Sequence, residues 1–265
     1  MRRLVRAPSL LRALRQFGSA AERPWHVAIV GSGPAGFYAA DQLLKGDPDV
    51  RVDIYEALPV PFGLVRYGVA PDHQDVKNVT DRFGQIASNP RCSLLANVRV
   101  GPAAAEDDPA IGAAGAASTV ELSALREHYH AVLLAYGADA DRELGVPGEQ
   151  LGGVHSARHF VEWYNGHPSG VGRSFGLERC ETAVVIGHGN VALDCARVLC
   201  ATPEQLTGST DIAAHAVAQL ASSSVRRVVV LGRRGVLQAA FTIKELRELS
   251  KYAHTRGVAP QWPSA

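Results

Sequence analysis

The sequence predicts an α/β protein made of two units that share one local design, in which an apolar strand runs through a glycine-rich turn into a helix. The first copy is Val27–Val30 followed by Gly31-Ser32-Gly33-Pro34-Ala35-Gly36. The second is Thr182–Ile186 followed by Gly187-His188-Gly189-Asn190-Val191-Ala192. Because this strand–turn–helix arrangement binds the pyrophosphate of a dinucleotide, we expect two Rossmann-like dinucleotide-binding domains.

The composition of the 265-residue chain is that of a globular protein, with 46% hydrophobic and 20% charged residues. A net charge of +1 gives no overall basic field that would attract nucleic acid. No apolar run approaches the about 20 residues that a membrane span needs, so we predict no transmembrane span and leave peripheral membrane attachment open. The four cysteines form no C-x-x-C pair and no metal-ligand spacing, which predicts free thiols and no metal site.

The N-terminal segment, residues 1–21, is basic and contains no acidic residue; its arginines are Arg2, Arg3, Arg6, Arg12 and Arg15. Apolar residues between the arginines fall near one helical face, a composition typical of mitochondrial transit peptides. A disordered basic arm would have a similar composition. We expect a mitochondrial protein, in the matrix or associated with the inner membrane.

The first dinucleotide domain is predicted to span residues 22–139. Gly31 supplies the tight turn, Gly33 leaves the backbone open to phosphate, and Gly36 lets the helix begin close to its strand. The next strand ends at Glu56, about 20 residues after Gly36, where a carboxylate accepts hydrogen bonds from ribose hydroxyls.

The loop 57–73 follows this strand and is apolar and rich in proline, which excludes a regular helix or a central strand. Such a loop packs on a flat apolar ring such as an isoalloxazine, or beneath a neighbouring domain. The pattern then predicts a helix over 75–87 and a strand over 92–100. Residues 101–118, rich in Ala and Gly, are predicted to be a surface insertion without chemistry.

The second domain, residues 140–265, has no acidic residue after its second strand and carries Arg233 and Arg234 there instead. Two guanidinium groups at this position suit the 2′-phosphate that distinguishes NADP from NAD. A basic turn exposed to solvent, with no ligand, would have the same sequence pattern. His188 is predicted to donate a hydrogen bond in the phosphate turn, since hydride transfer to a flavin needs no protein base there.

Four stretches are longer and more specific than a dinucleotide fingerprint. They read Gly-Ser-Gly-Pro-Ala-Gly-Phe-Tyr at 31–38, Pro-Val-Pro-Phe-Gly-Leu-Val-Arg-Tyr-Gly-Val-Ala-Pro-Asp-His at 59–73, Gly-His-Gly-Asn-Val-Ala-Leu-Asp at 187–194 and Leu-Gln-Ala-Ala-Phe-Thr-Ile-Lys-Glu-Leu at 237–246. Together they resemble the adrenodoxin reductase family, mitochondrial ferredoxin–NADP reductases of the glutathione-reductase-like class. The resemblance covers about residues 25 to 250.

The resemblance implies a flavoprotein that transfers electrons from NADPH through FAD to an acidic [2Fe–2S] ferredoxin, for mitochondrial P450 systems such as those of steroid metabolism or for cluster assembly. It implies that the FAD contacts, besides the glycines, are Ala35, Glu56, Leu64 and Val100. The implied NADP contacts are His188, Gly189, Asn190, Val191, Arg233, Arg234 and Glu245. Arg247, on the same predicted helix as Glu245, is a candidate contact for the ferredoxin.

The resemblance also implies that the FAD domain is incomplete, because relatives continue into a second half of that domain beyond the Lys-Glu-Leu helix. We therefore expect a C-terminally truncated reductase in which FAD is held weakly. Two other functions would also use a dinucleotide-binding fold. A disulfide reductase requires a redox-active C-x-x-C, which this sequence lacks. A catalytically silent NADP-binding fragment is the alternative that remains.

Overall fold

The computed structural model describes residues 24–102, 118–138, 141–233 and 238–256, with side chains up to residue 249. The predicted transit segment, residues 103–117 of the insertion, and Arg234 lie outside the described residues. Contacts group the chain into two compact units. The first comprises the chain up to Arg66 together with Val76–Ala140, and the second comprises Tyr67–Asp75 together with the chain from Asp141 onward. Within the described ranges, no helix has the length and apolarity to cross a bilayer.

The first unit is built on a four-stranded parallel sheet. Its strands are β1 (His26–Val30), β2 (Arg51–Tyr55), β3 (Cys92–Leu95) and β6 (Ala131–Leu134), in the order β3-β2-β1-β6. A separate parallel pair consists of β4 (Val98–Val100) and β5 (Ser118–Val120). The parallel order with β1 at an inner position is the arrangement expected for a doubly wound nucleotide-binding fold, so the predicted α/β class is confirmed.

The helices of the first half of the chain are α1 (Pro34–Gly46), α2 (Leu64–Tyr67), α3 (Gln74–Lys77), α4 (Val79–Ala87) and α5 (Leu122–His128). Pro34 stands in the first turn of α1, where its missing N–H leaves no hydrogen bond unmade. The core beneath α1 contains Phe37 and Phe83, whose rings stack with centroids 4.9 Å apart. These contacts hold α1 and α4 on the same face of the sheet.

Two predicted elements of this unit are divided in the structure. The predicted strand 92–100 forms β3 and β4, because Asn97 adopts a left-handed conformation with φ +58° that ends the extended run. Asn tolerates this conformation better than most residues because its short polar side chain bonds locally. The predicted helix 75–87 is divided into α3 and α4 at Asn78.

The second unit contains a two-stranded parallel sheet of β7 (Thr182–Ile186) and β8 (Arg227–Leu231). Its helices are α6 (Ala157–Tyr164), α7 (Asn190–Cys200), α8 (Pro203–Ser209), α9 (Ala214–Ala221) and α10 (Ile243–Arg256). The core packs α6 against α7, with Trp163 and Val198 almost fully buried. Because α7 is buried along nearly its whole length, every polar side chain on it needs a partner inside the unit.

The segment Tyr67–Asp75 groups with the second unit, although the sequence-based division placed all of 22–139 in the first. Two contacts account for this difference. Asn165 Nδ2 donates to the carbonyl oxygen of Tyr67 at 3.1 Å, and the guanidinium of Arg197 binds the carboxylate of Asp72. The end of the proline-rich loop is therefore structurally part of the nucleotide unit that follows it in sequence.

Candidate functional site

The first glycine turn joins β1 to α1 through two close backbone approaches. Gly31 has φ +107° and donates from its N–H to the carbonyl of Tyr55 at 2.8 Å, and a Cβ at this position would lie 2.4 Å from the carbonyl oxygen of Ala135. A Cβ at Gly36 would lie 2.0 Å from the carbonyl oxygen of Gly31. Only glycine fits at these two positions, because a side chain at Gly31 would clash with the backbone of Ala135 and a side chain at Gly36 would push α1 away from its strand.

Gly33 differs from the other two glycines because its Cβ direction is open. No atom of the described residues, apart from its chain neighbours, lies within 4 Å of a Cβ built there. Gly33 is also the N-cap of α1, and no described side chain caps the helix. Ala35 is exposed in the first turn of the helix. The open space and the uncapped N–H groups form a cradle suited to a phosphate group.

Glu56 lies beside this cradle, at the end of β2, and is 9% exposed. One of its carboxylate oxygens accepts from the backbone N–H of Ser32 at 3.0 Å and from Ser32 Oγ at 2.6 Å, and the other accepts from the N–H of Leu58 at 2.9 Å. A carboxylate offers about four acceptor positions, so these three bonds orient the group and leave capacity for a ribose hydroxyl.

The proline-rich loop covers the first glycine turn. Phe62 donates from its N–H to the carbonyl of Ser32 at 3.2 Å, and its ring lies 5.5 Å from the ring of Phe37. Phe62 has φ +93°, an uncommon and strained conformation for a bulky side chain. The sequence predicted an apolar loop here but did not predict the contact of Phe62 with the glycine turn. The triplet Pro61-Phe62-Gly63 is the feature of the sequence that could have indicated this contact.

A surface cleft of about 460 Å³ opens at the carboxyl edge of the first sheet. Val100, at the end of β4, lines it together with Val30, Leu134 and Tyr136. Ligands of open parallel sheets bind at this edge. Leu64, predicted as a flavin contact, is 72% exposed on α2 and does not line the cleft.

The second glycine turn repeats the geometry of the first. Gly187 has φ +128° and donates from its N–H to the carbonyl of Leu231 at 2.8 Å. Gly189 is the N-cap of α7, again without a capping side chain, and the space around its Cβ position is open within the described part of the chain. Val191, one residue into the helix, is 50% exposed.

The segment that precedes α10 is tied to this turn. Asn190 Oδ1 accepts from the N–H of Thr242 at 2.9 Å, and the carbonyl of His188 accepts from the N–H of Ala240 at 3.1 Å. The ring of His188 lies over Gly232, where a Cβ would come within 2.2 Å of Cδ2. Arg233 follows Gly232 directly and is exposed. The structure therefore brings the turn, the end of β8 and the start of α10 together in one unit.

Glu245 has a different environment from the one expected of a nucleotide contact. It is 9% exposed, and its Oε2 accepts from Arg197 Nη1 at 3.1 Å. Burial and the nearby carboxylate of Asp194 raise the pKa of Glu245. A contact of Glu245 with NADP stays a prediction. Arg247, two residues along α10, is exposed.

Sequence reasoning did not identify the buried group around Glu245, which includes Asp72, His73, Asp194 and Arg197. One signal was available in the sequence. Arg197 stands three residues after Asp194 in a helix whose other residues are mostly apolar, so it was bound to face the interior with an acidic partner.

Comparison with known proteins identifies the relatives of this chain. Residues 25–263 match the Pyridine nucleotide-disulphide oxidoreductase family. The NADPH:adrenodoxin oxidoreductase, mitochondrial, of Arabidopsis thaliana is 51% identical over 235 residues, which is 89% of this chain and 45% of the relative. The protein of the same name from Homo sapiens is 50% identical over 240 residues, 91% of this chain and 45% of the relative.

Among solved structures, FprA of Mycobacterium tuberculosis in complex with NADPH matches with a TM-score of 0.77 and 45% sequence identity. The match covers 87% of this chain and 48% of FprA. The chain thus spans about half the length of the relatives it matches. By sequence and by fold, the chain belongs to the pyridine nucleotide-disulphide oxidoreductase family.

Proposed function

We propose that this chain carries the nucleotide-binding machinery of an NADPH–ferredoxin reductase, with FAD at the first glycine turn and NADP at the second. The observation that carries the proposal is a difference between two otherwise matching turns. The strand after the first turn ends in the buried carboxylate of Glu56, whereas the strand after the second ends at the exposed guanidinium of Arg233.

The first turn fits FAD by the shape of its cradle. Gly33 leaves room for a pyrophosphate, the N-terminal N–H groups of α1 face that room, and Glu56 presents a fixed carboxylate beside it. We assign the FAD contacts to Gly31, Gly33, Ala35, Gly36, Glu56, Leu64 and Val100. When bound, FAD would accept a hydride from NADPH and return the two electrons singly to an iron–sulfur protein.

The second turn fits NADP. Gly189 and Asn190 begin α7 next to open space, so the helix N-terminus is available to a pyrophosphate. Arg233, and Arg234 beside it in sequence, would bind the 2′-phosphate through charge-assisted hydrogen bonds. His188, Val191 and Glu245 complete the proposed NADP contacts.

The relatives support a proposal for the partner and the compartment. The names of these relatives describe mitochondrial enzymes that use NADPH and adrenodoxin. We therefore propose a mitochondrial location, in the matrix or associated with the inner membrane, with residues 1–21 as the transit peptide. We propose an acidic [2Fe–2S] ferredoxin as the electron acceptor, with exposed Arg247 among its contacts. Steroid-metabolising P450 systems and cluster assembly are the pathways that such a ferredoxin supplies.

Disulfide reduction is not proposed, because the sequence holds no C-x-x-C pair.

Three measurements on the purified 265-residue chain test this function. NADP⁺ and NAD⁺ titrations by calorimetry are expected to give saturable binding that favours NADP⁺. The absorbance spectrum reports whether FAD is bound, and NADPH-dependent reduction of a [2Fe–2S] ferredoxin reports turnover. NADP⁺ binding without bound FAD would favour the alternative of a silent NADP-binding chain. A chain that binds neither NADP⁺ nor FAD would refute the proposal.

A further inference from the structure

Arg197 is the most deeply buried charged side chain among the described residues, at 1% exposed. Its Nε–H donates to Asp72 Oδ2 at 2.5 Å, and its Nη2 donates to Asp72 Oδ1 at 3.1 Å and to Asp194 Oδ1 at 2.6 Å. Its Nη1 donates to Glu245 Oε2 at 3.1 Å. One guanidinium on α7 thereby joins the 67–75 segment, its own helix and α10, all within the second unit.

The number of hydrogens on this guanidinium indicates which ring nitrogen of His73 carries a proton. A guanidinium has five N–H donors, and the two on Nη2 are used by Asp72 and Asp194. The contact of 3.1 Å between Nη2 and His73 Nε2 therefore has no hydrogen of its own. Nε2 must carry the ring proton and donate it to Glu248 Oε2, 2.6 Å away. His73 thus depends on α10 for its orientation.

The charges in this group are unequal. The carboxylates of Asp72, Asp194, Glu245 and Glu248 surround Arg197 and His73. Within the described residues, Lys244 Nζ also lies 3.8 Å from Glu248 Oε1, but its side chain is 58% exposed. Burial disfavours the charged form of Arg197, yet the carboxylates of Asp72 and Asp194 outweigh burial and raise its pKa. Without the guanidinium, the buried carboxylates would repel one another.

The group is connected to the second glycine turn through the N-terminal ends of α7 and α10. Arg197 lies about 10 Å along α7 from Asn190, at about 1.5 Å rise per residue. Glu245 lies one turn into α10 from Thr242, whose N–H holds the side chain of Asn190. A shift of α10 relative to α7 would therefore move the hydrogen bond that orients Asn190 in the turn.

We propose that Arg197 is a positioning residue for the nucleotide site, because it fixes α10 and the Asp72–His73 segment against α7 and thereby keeps the turn in its binding geometry. This inference rests on the proposed NADP-binding function. Arg197 itself does not contact the turn, so its effect is transmitted by Glu245 and Thr242. Removing it should weaken nucleotide binding in a way that depends on the protonation of the carboxylates it neutralises.

The test compares Arg197→Met with the parent chain by NADP⁺ calorimetry between pH 6 and pH 8. The ratio of variant to parent Kd at each pH is the measured quantity, so that titration of the nucleotide phosphate cancels. At pH 8 we expect Arg197→Met to bind at least about tenfold more weakly, a change of about 1.4 kcal/mol. At pH 6 the ratio should be smaller, because burial and the carboxylate of Asp194 raise the pKa of Glu245 and protonation of Glu245 reduces the excess negative charge.

Arg179→Met is the matched control, since the side chain of Arg179 is 77% exposed and pairs with Glu178 at 3.2 Å. It should bind NADP⁺ like the parent. Arg197→Lys keeps the charge and gives a folded variant if Arg197→Met does not fold. A single ammonium cannot reproduce the fork, so we expect a loss of several-fold in affinity with little pH dependence.

Equal affinity of the parent and Arg197→Lys would overturn the inference, as would a loss in Arg197→Met that is the same at pH 6 and pH 8. A pH-independent loss would mean that Arg197 supports the fold alone. If the parent chain itself does not bind NADP⁺, the proposed function fails, and that result is separate because it is seen before any variant is made.

Discussion

The ring of His188 occupies the space that a side chain at Gly232 would need. A Cβ at Gly232 would lie 2.2 Å from His188 Cδ2 and 2.8 Å from Cγ, so the two positions are coupled across the ends of β7 and β8. In Gly232→Ala, the imidazole must rotate out of the turn, while the backbone need not move. We expect the thermal midpoint to change little and NADP⁺ affinity to fall several-fold.

Calorimetry and thermal unfolding of Gly232→Ala check this prediction together. Gly208→Ala is the matched control in the same unit, because no described atom apart from its chain neighbours and helix backbone lies within 4 Å of its Cβ position. Unchanged NADP⁺ affinity in Gly232→Ala would show that His188 has no part in the nucleotide site.

Arg233 gives the second prediction, which concerns nucleotide selectivity. Arg233→Ala should weaken NADP⁺ binding by about 1.5–3 kcal/mol, the contribution of a hydrogen bond to a charged group, and should leave NAD⁺ binding nearly unchanged. Arg227→Ala, at the opposite end of β8, is the control for a general loss of positive charge. An equal loss for both nucleotides would contradict the 2′-phosphate role.

Gly33 and Gly36 give a matched pair of substitutions with opposite expected effects. Gly36→Ala places a methyl group 2.0 Å from the carbonyl oxygen of Gly31 and should destabilise the first unit by about 1–3 kcal/mol, the usual cost of overpacking. Gly33→Ala meets open space in the described structure and should unfold like the parent. Its methyl group would instead obstruct the phosphate cradle.

Urea unfolding and the FAD content after incubation with excess cofactor distinguish these two variants. We expect Gly33→Ala to be stable and depleted of FAD. Normal FAD content in Gly33→Ala would argue against a pyrophosphate site at this turn.

Asp41 gives a prediction about pH. Its buried carboxylate binds Lys45 Nζ at 2.8 Å and Arg82 Nη2 at 2.6 Å. The hydrogen bond from Lys45 lowers the pKa of Asp41, burial opposes this, and Arg82 lowers it further. Because the folded pKa lies below the unfolded value, the stabilisation is complete above the unfolded value and is lost as pH falls through the folded value.

Asp41→Asn should lower the free energy of unfolding at pH 7 by about 0.5–1 kcal/mol, since both cations are partly exposed and screened by water. The difference from the parent should diminish as the pH falls below the ordinary aspartate value of 3.8. Denaturation in urea between pH 3 and pH 7 measures it, with exposed Asp49→Asn as the control. A difference that persists undiminished at pH 3 would contradict the ion-pair explanation.

The sequence identified both glycine turns because their constraint is local. Gly31 and Gly36 are required by close backbone approaches, and Gly187 by its φ of +128°, within strand–turn–helix junctions that are local in sequence. The α/β class and the strands that flank these turns followed from the same pattern. The short helices α5, α8 and α9 were not predicted, because each is too brief for its apolar spacing to stand out.

The environment of Glu245 could not be predicted from the sequence. Its partner Arg197 is 48 residues earlier, and Asp72 is 125 residues before Arg197. A local pattern contains no information about contacts at such separations. The Lys-Glu-Leu motif predicted that Glu245 lies near the nucleotide turn. The contact of its carboxylate with the guanidinium of Arg197 depends on tertiary packing, which the motif does not encode.

The grouping of Tyr67–Asp75 with the second unit has a consequence for how the chain folds. The ion pair between Asp72 and Arg197 joins residues 125 positions apart in sequence. The stretch Val76–Ala140, which belongs to the first unit, lies between them in sequence. Closing long loops costs chain entropy before any contact compensates for it, and proteins dominated by such contacts fold slowly. We therefore expect the second unit to acquire the segment Tyr67–Asp75 late in folding.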